Sequence, residues 1–594
     1  MVGDSLVVAG VTVTLTDVVV GLVLLSDGLS LLSPQPTAMA STTPPPAINV
    51  AVRIAAFDMS DMRLRFSHGD FLPVPRLIAT QTLEQRPNQS TMLGFDRRQQ
   101  EWGAMSLQAR TPVLIGEGQV NHYDDDSAVE PVDLIAAAAR EAVDPRVLRR
   151  IDQIRIVNLL SWRYRDPGLL VAQRIGADEA GTFYSGVGGN TPQSLVNRAC
   201  LDIQSGRAQV VLIAGGETWR TRMRLRSKGI RPDWTKQGDS VPVPGGGDDV
   251  PMSGLAEEHV GLDRPSFVYP IFEQALRIAD GESATTHLHR IGELWSQFSS
   301  VAQGNPHAWS RTALSAKEIS LPTPDNRMIS LPYPKLMNSN NMVNQAAALV
   351  LCSVEMATHL QIPRDQWVFP HAGTDAHDTY SVAERQELHR CPAIRLAGGR
   401  ALELAGIGVD EVDHVDIYSC FPSAVQVAAR ELELPVGDVG RPLTVTGGLT
   451  FAGGPWNNYV THSIATMARL LRGNPRRRGL ITANGGYLTK HSFGVYSGSP
   501  PNSEFRWEDV QPLVDREPTR EALVEWQGIG TVESWTTTFD RDGKPEKAFL
   551  AVRTPDDSRT WATVADPDAA AATVEGDIGG SDVEVHRDGH AVLR

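Results

Sequence analysis

Residues 182–217 have the sequence TFYSGVGGNTPQSLVNRACLDIQSGRAQVVLIAGGE. The order of residue types predicts a strand, a glycine-rich turn, a helix and a second strand. Pro192 occupies the place of a first helical residue, and the apolar residues after it recur at helical spacing. Residues 210–214, VVLIA, form the continuous apolar run of a strand that is buried on both faces. Two strands joined by one short helical connection predict a parallel sheet.

The turn at residues 188–191, Gly-Gly-Asn-Thr, lies directly before this helix. The first backbone N–H groups of a helix have no partners within the helix, and the helix dipole places partial positive charge there. Such an end attracts an oxyanion or another negatively charged group. The turn therefore predicts a binding site above the start of the helix.

The same order of residue types returns near residue 450. The second copy consists of a strand, a glycine-rich turn, a helix and a second strand, at residues 443–446, 447–457, 460–471 and 479–484. Two copies of one strand–helix–strand unit predict a duplicated domain. We expect both glycine–proline helix starts to contribute to one shared site.

The composition is typical of a globular protein, with 41% apolar and 21% charged residues among 594. The length predicts about three or four domains. A net charge of −15 disfavours nucleic acid as a partner, because phosphate binding needs a basic surface. No apolar run in the sequence reaches the length of a membrane span. The four cysteines lack the spacing of a metal site or a disulfide framework. We therefore expect a cytoplasmic protein without a metal site and without a nucleic-acid or membrane partner.

Composition and periodicity divide the chain into five segments. They are a weakly structured extension (1–108), a first α/β half (109–217), an inserted loop domain (218–337), a second α/β half (338–502) that begins with a strand at 346–352, and a β-rich domain (503–594). We expect part of the extension to come from a misassigned translation start, because Met105 directly precedes the first strand that the sequence clearly predicts. The alternative is that the extension is a functional arm. The last segment resembles a small closed β-barrel of the OB type. After residue 504 it has 19 acidic and 10 basic residues. This balance disfavours nucleic-acid binding, and it favours a domain that docks a partner or covers the substrate end of the site.

The inserted segment opens with a basic cluster. Five of nine consecutive positions are basic, namely Arg220, Arg222, Arg224, Arg226 and Lys228. Such a cluster can hold a polyanionic cofactor tail, and it is also typical of a solvated helix face. The sequence leaves both interpretations open.

Several motifs in combination resemble the thiolase superfamily. They are the turn at 188–193, the AGGE ending at 214–217, YSCF at 418–421, GGLTFAGGP at 447–455 and NGG at 484–486. More narrowly, residues 111–594 are similar to sterol-carrier-type thiolases and to thiolase-like proteins with an added C-terminal OB-like domain. The resemblance implies a duplicated thiolase fold with αβαβα layers, an inserted loop domain that helps to bind coenzyme A, an acyl-CoA ligand and no further cofactor.

The family's reactive residues are replaced in this chain. Gly188 stands where the family has its nucleophilic cysteine, and a glycine cannot form a thioester. Gly454 replaces the histidine that activates that cysteine, and Ala483 replaces a second cysteine. All three groups are absent together, as expected if losing the nucleophile makes its base unnecessary.

The YSCF segment provides the two candidate catalytic residues. Sterol-carrier-type thiolases read HDCF there, with the histidine in the oxyanion site and the cysteine as an acid or base. Tyr418 replaces that histidine and Cys420 keeps the cysteine. Thiolase-like aldolases of steroid side-chain breakdown are similar in lacking the nucleophile and in using tyrosines for proton transfer. The alternatives are that Tyr418 is a hydrogen-bonding core residue and that Cys420 is inert packing.

Further residues are candidates for contact with acyl-CoA. Gly189 and Gly454 are the two helix starts, and Asn457 follows the second of them, where helix capping explains it equally well. Asn341 matches the family's position for a serine that contacts coenzyme A. His491, after the glycine pair at 485–486, is placed so that it can face the site.

These observations lead to three functional hypotheses. The first is a protein that acts on acyl-CoA thioesters without a nucleophilic cysteine, with tyrosine-assisted carbon–carbon cleavage in lipid or sterol metabolism as its catalytic form. The second is a non-catalytic acyl-CoA-binding or scaffold protein. The third is an acetyl-CoA acetyltransferase, as the fold alone suggests. A homodimer, or a partner protein docked on the C-terminal barrel, is compatible with each.

Overall fold

The first sheet contains the two strands predicted within residues 182–217. The computed structural model describes residues 109–246 and 250–594, so the predicted extension 1–108 lies outside the described residues. The sheet consists of β1 (Pro112–Asn121), β2 (Gln153–Ile156), β3 (Gly181–Tyr184), β4 (Val210–Thr218) and β7 (Asn344–Ser353). The helices of this half are α1 (Pro131–Ala142), α2 (Pro145–Leu148), α3 (Pro167–Ile175), α4 (Thr191–Ser205) and α5 (Trp219–Ser227).

The order of the first sheet is β1-β7-β4-β2-β3. The predicted strand–helix–strand stretch forms β3, α4 and β4, and β2 lies between the two strands, parallel to both. This confirms the parallel arrangement. It also shows that β3 and β4 do not pair with each other, because β2, an earlier strand of the chain, lies between them.

The second sheet repeats this plan. It consists of β8 (Phe369–His377), β9 (His414–Asp416), β10 (Arg478–Gly485), β11 (Lys490–Ser497) and β12 (Arg506–Asp509), in the order β12-β8-β11-β10-β9. In both sheets a parallel pair is followed by two antiparallel pairs: β2–β4–β7–β1 in the first and β9–β10–β11–β8 in the second. The predicted duplication is therefore present. The helices of this half are α10 (Val354–His359), α11 (Pro392–Ala405), α12 (Pro422–Glu431), α13 (Gly448–Phe451) and α14 (Tyr459–Gly473).

Three assignments from the sequence need correction. The strand expected to open the second half is β7, which pairs with β1 and β4 of the first sheet, because its apolar run needs burial on both faces. Residues 506–509 of the expected β-rich domain form β12, which pairs with β8 of the second sheet. Residues 443–446 are not a strand. They form a loop that binds the buried Asp416 carboxylate, which accepts from the Val445 N–H and the Thr444 hydroxyl, both at 2.9 Å.

The two sheets enclose a middle layer of two helices. Both α4 and α14 contact strands of both sheets, while α1 and α3 cover the outer face of the first sheet and α11 that of the second. The five layers are those of the αβαβα fold implied by the resemblance. Polar residues of α4 are paired inside this layer, since Gln193 donates to Asn197 at 2.9 Å and accepts from Tyr496 at 2.7 Å.

The inserted segment covers the second half. Its elements are α6 (Leu255–Val260), α7 (Pro265–Ala279), α8 (Ala284–Gly304), α9 (Ala316–Ser320), β5 (Met328–Ser330) and β6 (Tyr333–Pro334). Five 3-10 helices occur among the described residues, at Lys335–Met337, Arg364–Gln366, Val382–Glu384, Val409–Glu411 and Trp456–Asn458. Within the described ranges, no helix is both long and apolar enough to cross a membrane.

The C-terminal domain is a third sheet. It contains β13 (Ala522–Leu523), β14 (Gly528–Phe539), β15 (Pro545–Arg553), β16 (Arg559–Val564), β17 (Asp582–Val585) and β18 (Ala591–Leu593), with the helices α15 (Gln511–Val514) and α16 (Pro567–Glu575). The order is β13-β16-β15-β14-β17-β18, and β5 pairs with β14. One isolated bridge joins Thr563 to His590. The predicted C-terminal β-domain is confirmed, and its OB type stays a prediction.

Buried polar contacts attach this domain to residues 381–387. Arg559 is 0% exposed, and its guanidinium donates to the Ala383 carbonyl at 2.9 Å and to both oxygens of Glu533. The Trp561 indole donates to Glu257 at 2.8 Å, and the same carboxylate oxygen accepts the Ala383 N–H. Arg559 therefore connects the added domain to the second half.

We expect Arg559→Ala to lower the unfolding free energy by about 3–5 kcal/mol, because it removes the buried cation that joins the partly buried Glu533 carboxylate to backbone carbonyls of the second half. Urea unfolding of the full chain measures this loss. The matched control is Arg594→Ala, which removes an exposed ion pair with Glu584 and should change stability by about 1 kcal/mol or less. Equal, small losses in the two variants would show that the buried contact does not hold the domain.

Candidate functional site

The two glycine-rich turns meet at one point. The Gly188 N–H donates to Asn457 Oδ1 at 3.1 Å, although the two residues are 269 positions apart. The same side chain donates through Nδ2 to the Asn158 carbonyl at 3.1 Å. Asn457 thus joins the start of α4 to the turn that precedes α14. The two helix starts converge as the duplication predicts.

Tyr418 reaches this point from the end of β9. Its backbone N–H donates to the Thr482 hydroxyl at 3.0 Å, which fixes the segment against β10. A Cβ atom at position 189 would lie 2.5 Å from the Tyr418 hydroxyl oxygen, so only glycine at 189 admits the phenol here. The side chain is 9% exposed. Its hydroxyl makes no hydrogen bond with any residue that the structure describes.

Burial determines the protonation states of the two candidate catalytic residues. It raises the pKa of the Tyr418 phenol well above 10, with a further contribution from Cys420. It also raises the pKa of the Cys420 thiol to about 12. Both groups therefore carry their protons at neutral pH. This favours Tyr418 as a hydrogen-bond donor rather than a proton acceptor, and it leaves Cys420 without a thiolate.

Two further residues, for which the sequence pattern predicts no role, complete the site. Asn484 Nδ2 donates to the Tyr269 hydroxyl at 2.9 Å and lies 4.0 Å from Cys420 Sγ. The Tyr269 hydroxyl donates to the Gly486 carbonyl at 3.0 Å and accepts the Leu488 N–H at 2.9 Å. Asn484 stands in the NGG motif, which could have indicated it. Tyr269 lies in an apolar helix of the insertion, where no local pattern marks it.

The segment that contains Asn341 lies along the second turn. A Cβ atom at Gly454 would be 2.8 Å from Asn341 Oδ1, and the Gly454 N–H donates to the Asn340 carbonyl at 2.9 Å. The Ser339 hydroxyl donates to the Cys420 carbonyl at 3.0 Å. Asn341 and Gly454 therefore adjoin the convergence point, and their contact with coenzyme A stays a prediction.

His491 belongs to a neighbouring cluster. Its Nε2 lies 3.1 Å from the Leu488 carbonyl and 3.4 Å from Cys391 Sγ. The hydrogen bonds found for it among the described residues do not reach Tyr418 or Cys420. Burial lowers the pKa of His491 to about 4. A neutral imidazole that donates to a backbone carbonyl has the features of a structural residue next to the site.

The basic cluster is mostly engaged in contacts within the chain. Arg220 pairs with Asp125 at 2.6 Å, and Arg222 donates to the Leu160 carbonyl at 2.8 Å. The helix that carries them packs near the second turn through Trp219, whose ring centroid is 5.1 Å from that of Trp456. Arg226 and Lys228 are exposed. These two residues remain candidates for an anionic ligand tail.

The comparisons with known proteins agree with this architecture. The family described as "Thiolase-like protein type 1 additional C-terminal domain" matches residues 509–590. A monomeric SCP2-thiolase like protein type 1 from Mycobacterium smegmatis is 31% identical, with a TM-score of 0.70, over 82% of this chain and 100% of that chain. These similarities confirm the resemblance to thiolase-like proteins with an added C-terminal domain.

Two other relatives are more distant. An Ltp2-ChsH2(DUF35) aldolase is 18% identical, with a TM-score of 0.50, over 66% of this chain and 98% of that chain, which shows a likeness in fold alone. An acetyl-CoA acetyltransferase from Methanothermobacter thermautotrophicus is 24% identical over 237 residues, or 36% of this chain. That match spans 59% of the length of the relative.

The pKa of His491 predicts an acid-sensitive contribution to stability. The imidazole titrates near 6.5 in the unfolded chain and near 4 in the folded protein, so between these values the unfolded chain binds more protons. The contribution is present above pH 6.5 and is lost as the pH falls to 4. We expect a loss of about 3 kcal/mol over this window.

Denaturant unfolding at pH 7 and pH 4 measures this loss, and His491→Gln should reduce the pH dependence by that amount. His289→Gln is the matched control, because its side chain is 75% exposed. If the pH dependence of His491→Gln matches that of the unaltered protein, His491 is not buried in the neutral form.

Proposed function

The chain belongs to the family of SCP2-thiolase like proteins type 1, and from this premise we propose that it binds acyl-CoA thioesters without forming an acyl-enzyme. The thioester lies above the two converging helix starts, with its carbonyl oxygen accepting a hydrogen bond from Tyr418. The observation that carries the proposal is the protonated Tyr418 hydroxyl, which has no hydrogen-bond partner among the described residues and lies against Gly189.

The missing nucleophile supports binding without covalent transfer. A Cβ atom at Gly188 would meet Asn190 Oδ1, so a cysteine at this position requires the Asn190 side chain to turn away. Thioester formation requires a thiolate. Burial raises the pKa of each of Cys200, Cys352, Cys391 and Cys420 above its ordinary value. The family's acyl-transfer step therefore has no competent group in this site.

We expect no acetyl-thioester on the protein after incubation with acetyl-CoA, because a glycine replaces the attacking residue. Intact-mass and peptide mass spectrometry under non-reducing, mildly acidic conditions measure this. Recovery of an acetylated peptide that contains Cys420 would contradict the proposal and restore an acyltransferase. The converse variant, Gly188→Cys, should also stay unacetylated, because Gly454 stands where the family has the histidine that activates this cysteine.

Carbon–carbon cleavage is the second candidate function. In such a reaction a base removes the proton of the substrate hydroxyl, a carbonyl forms there, and the electrons of the broken carbon–carbon bond pass to the thioester, which becomes an enolate. A neutral phenol next to the thioester oxygen stabilises that enolate by donating a hydrogen bond, and removing one such donor typically lowers turnover about a hundredfold or more. The unpartnered hydroxyl of Tyr418 is the observation that favours this candidate.

Tyr418→Phe tests the contact with the thioester. We expect this variant to bind an acyl-CoA about tenfold more weakly, which corresponds to the loss of one hydrogen bond of about 1.4 kcal/mol. Its affinity for free coenzyme A, which has no thioester, should not change. Its stability should also stay the same, since the hydroxyl has no partner to lose. Isothermal titration calorimetry and thermal melting measure the three quantities.

The matched control is Tyr459→Phe. The Tyr459 hydroxyl is hydrogen-bonded to Thr446 at 2.6 Å and to Asp416 at 3.2 Å. This variant should lose about 1–3 kcal/mol of stability and keep its affinity for acyl-CoA. If Tyr418→Phe behaves in the same way as Tyr459→Phe, the Tyr418 hydroxyl is a structural group, and the thioester contact is wrong.

A further inference from the structure

A buried imidazole of the insertion lies between two carboxylates. His287, near the start of α8, is 1% exposed. Its Nε2 pairs with the Glu273 carboxylate of α7, and its Nδ1 lies 2.6 Å from Glu282 Oε2. A neutral imidazole has one N–H and can donate to only one of these carboxylates, whereas an imidazolium can donate to both. The geometry therefore fits the protonated form of His287.

The charges around His287 balance only when it is protonated. Arg290 donates to Glu282 at 2.9 Å, and its Nη2 lies 3.0 Å from His287 Nδ1. With the imidazolium, the charged groups are three cations and three carboxylates, namely His287, Arg290, Arg430, Glu273, Glu282 and Asp280. Burial alone lowers the pKa of an imidazole, but the neighbouring carboxylates outweigh it and raise the pKa of His287 above its ordinary value. Loss of this proton would leave a buried negative charge without its cation.

The same carboxylate reaches the start of α12. Glu273 and Tyr333 are both 0% exposed, and the Tyr333 hydroxyl donates to Glu273. The Tyr333 hydroxyl oxygen in turn accepts the Ser423 N–H at 3.1 Å. Gln426, three residues further along α12, donates to Glu273 at 2.7 Å. The insertion cluster, which consists of Glu273, His287 and Tyr333, therefore holds the first turn of α12 by two contacts.

The first turn of α12 adjoins the candidate site. The YSCF segment at 418–421 ends directly before this turn, and Phe421 is the N-cap of α12. The Phe421 ring stacks on the rings of Tyr333 and Tyr269, with centroid distances of 5.8 Å and 4.6 Å. The first N–H groups of a helix take their partners from outside the helix. Because the insertion cluster supplies such a partner here, it helps to determine where the YSCF segment lies.

We propose that His287 is a positioning residue, which in its protonated form holds Glu273 and Tyr333 against the start of α12 and thereby fixes the YSCF segment. His287 does not touch the thioester. It acts through Tyr333 on the segment that carries Tyr418. The positioning is independent of the proposed function, whereas its effect on thioester affinity rests on that function.

The proposal fixes the direction of a pH dependence. The pKa of His287 is raised in the folded protein. The contact is therefore complete below about pH 6.5, the ordinary value of an imidazole, and is lost as the pH rises through the raised pKa. Glu217 also titrates in this range, because burial raises its pKa to about 7. A variant that removes only the contribution of the insertion cluster separates the two groups.

Calorimetric titration of the full chain with butyryl-CoA and with free coenzyme A, at pH 6 and pH 9, measures this dependence. The ratio of the two affinities removes the titration of coenzyme A itself. We expect the preference for the thioester to fall about tenfold between the two pH values. The double variant Glu273→Gln/His287→Gln removes the ion pair without leaving one charge unpaired, and its preference should change by about twofold or less. The matched control is His289→Gln on the same helix, whose side chain is 75% exposed, and it should keep the full fall.

Hydrogen exchange at pH 7 measures the positioning without a ligand. Tyr333→Phe removes the acceptor of the Ser423 N–H, and we expect backbone exchange in residues 418–427 to become about tenfold faster. The double variant should also exchange faster there, because a neutral amide is a weaker acceptor for Tyr333 than a carboxylate. The matched control is Tyr496→Phe, which removes a buried hydroxyl bonded to Gln193 at 2.7 Å in the middle layer. It should leave exchange in residues 418–427 unchanged.

The outcomes separate this inference from the proposed function. If butyryl-CoA does not bind at pH 6, or binds no more tightly than free coenzyme A, the proposed thioester contact fails. Exchange then decides on His287: faster exchange in the double variant supports the positioning, and unchanged exchange overturns it. If the thioester is preferred and the double variant keeps the full fall with pH, the role of His287 is wrong. Faster exchange throughout the protein, instead of in residues 418–427, would assign the cluster to general stability and also overturn the proposal.

Discussion

The hydrogen bond from the Gly188 N–H to Asn457 Oδ1 is the contact on which the arrangement of the site depends. It joins the two copies of the duplicated unit at the starts of their buried helices. Around it the chain uses glycine where backbone and aromatic groups must approach closely: position 189 admits the Tyr418 phenol, and position 454 admits Asn341. The chain thus has the family's scaffold, in which two helix starts meet. It lacks the family's reactive cysteine and histidine, and amide and phenol groups lie at the site instead.

The added C-terminal domain supports this site through a continuous set of buried contacts. Arg559 donates to the carbonyls of Ala383 and Arg385, and the Arg385 guanidinium donates to the Tyr487 carbonyl at 3.1 Å and to the Leu488 carbonyl. The Leu488 N–H in turn donates to Tyr269. The turn that presents Asn484 is therefore held from one side by the inserted segment and from the other by residues that the C-terminal domain fixes. This gives the domain a structural role that is independent of any docked partner.

The sequence predicted the duplication and the meeting of the two glycine-rich turns, because glycine, proline and apolar spacing are local signals. The αβαβα layers were implied by the resemblance to the thiolase superfamily. It misplaced β7, since a strand that returns to the first sheet after a long insertion carries the same apolar pattern as one that starts a new sheet. It also took residues 443–446 for a strand, although their N–H groups bind the Asp416 carboxylate, a partner that sequence spacing does not reveal. Tyr269 was missed, because no local pattern marks it. The sequence left Tyr418 as a hydrogen-bond donor, a proton shuttle or a core residue, and its burial, which raises the pKa of the phenol, favours the donor.

We propose that a thioester lies above the two helix starts, held by Tyr418 and attached to no cysteine. A crystal structure of the protein with a non-hydrolysable acyl-CoA analogue tests this placement. We expect the carbonyl oxygen of the analogue to lie about 3 Å from the Tyr418 hydroxyl, above the Gly188–Gly189 turn. An acyl group bound away from both helix starts, or one in covalent contact with a cysteine, would contradict it.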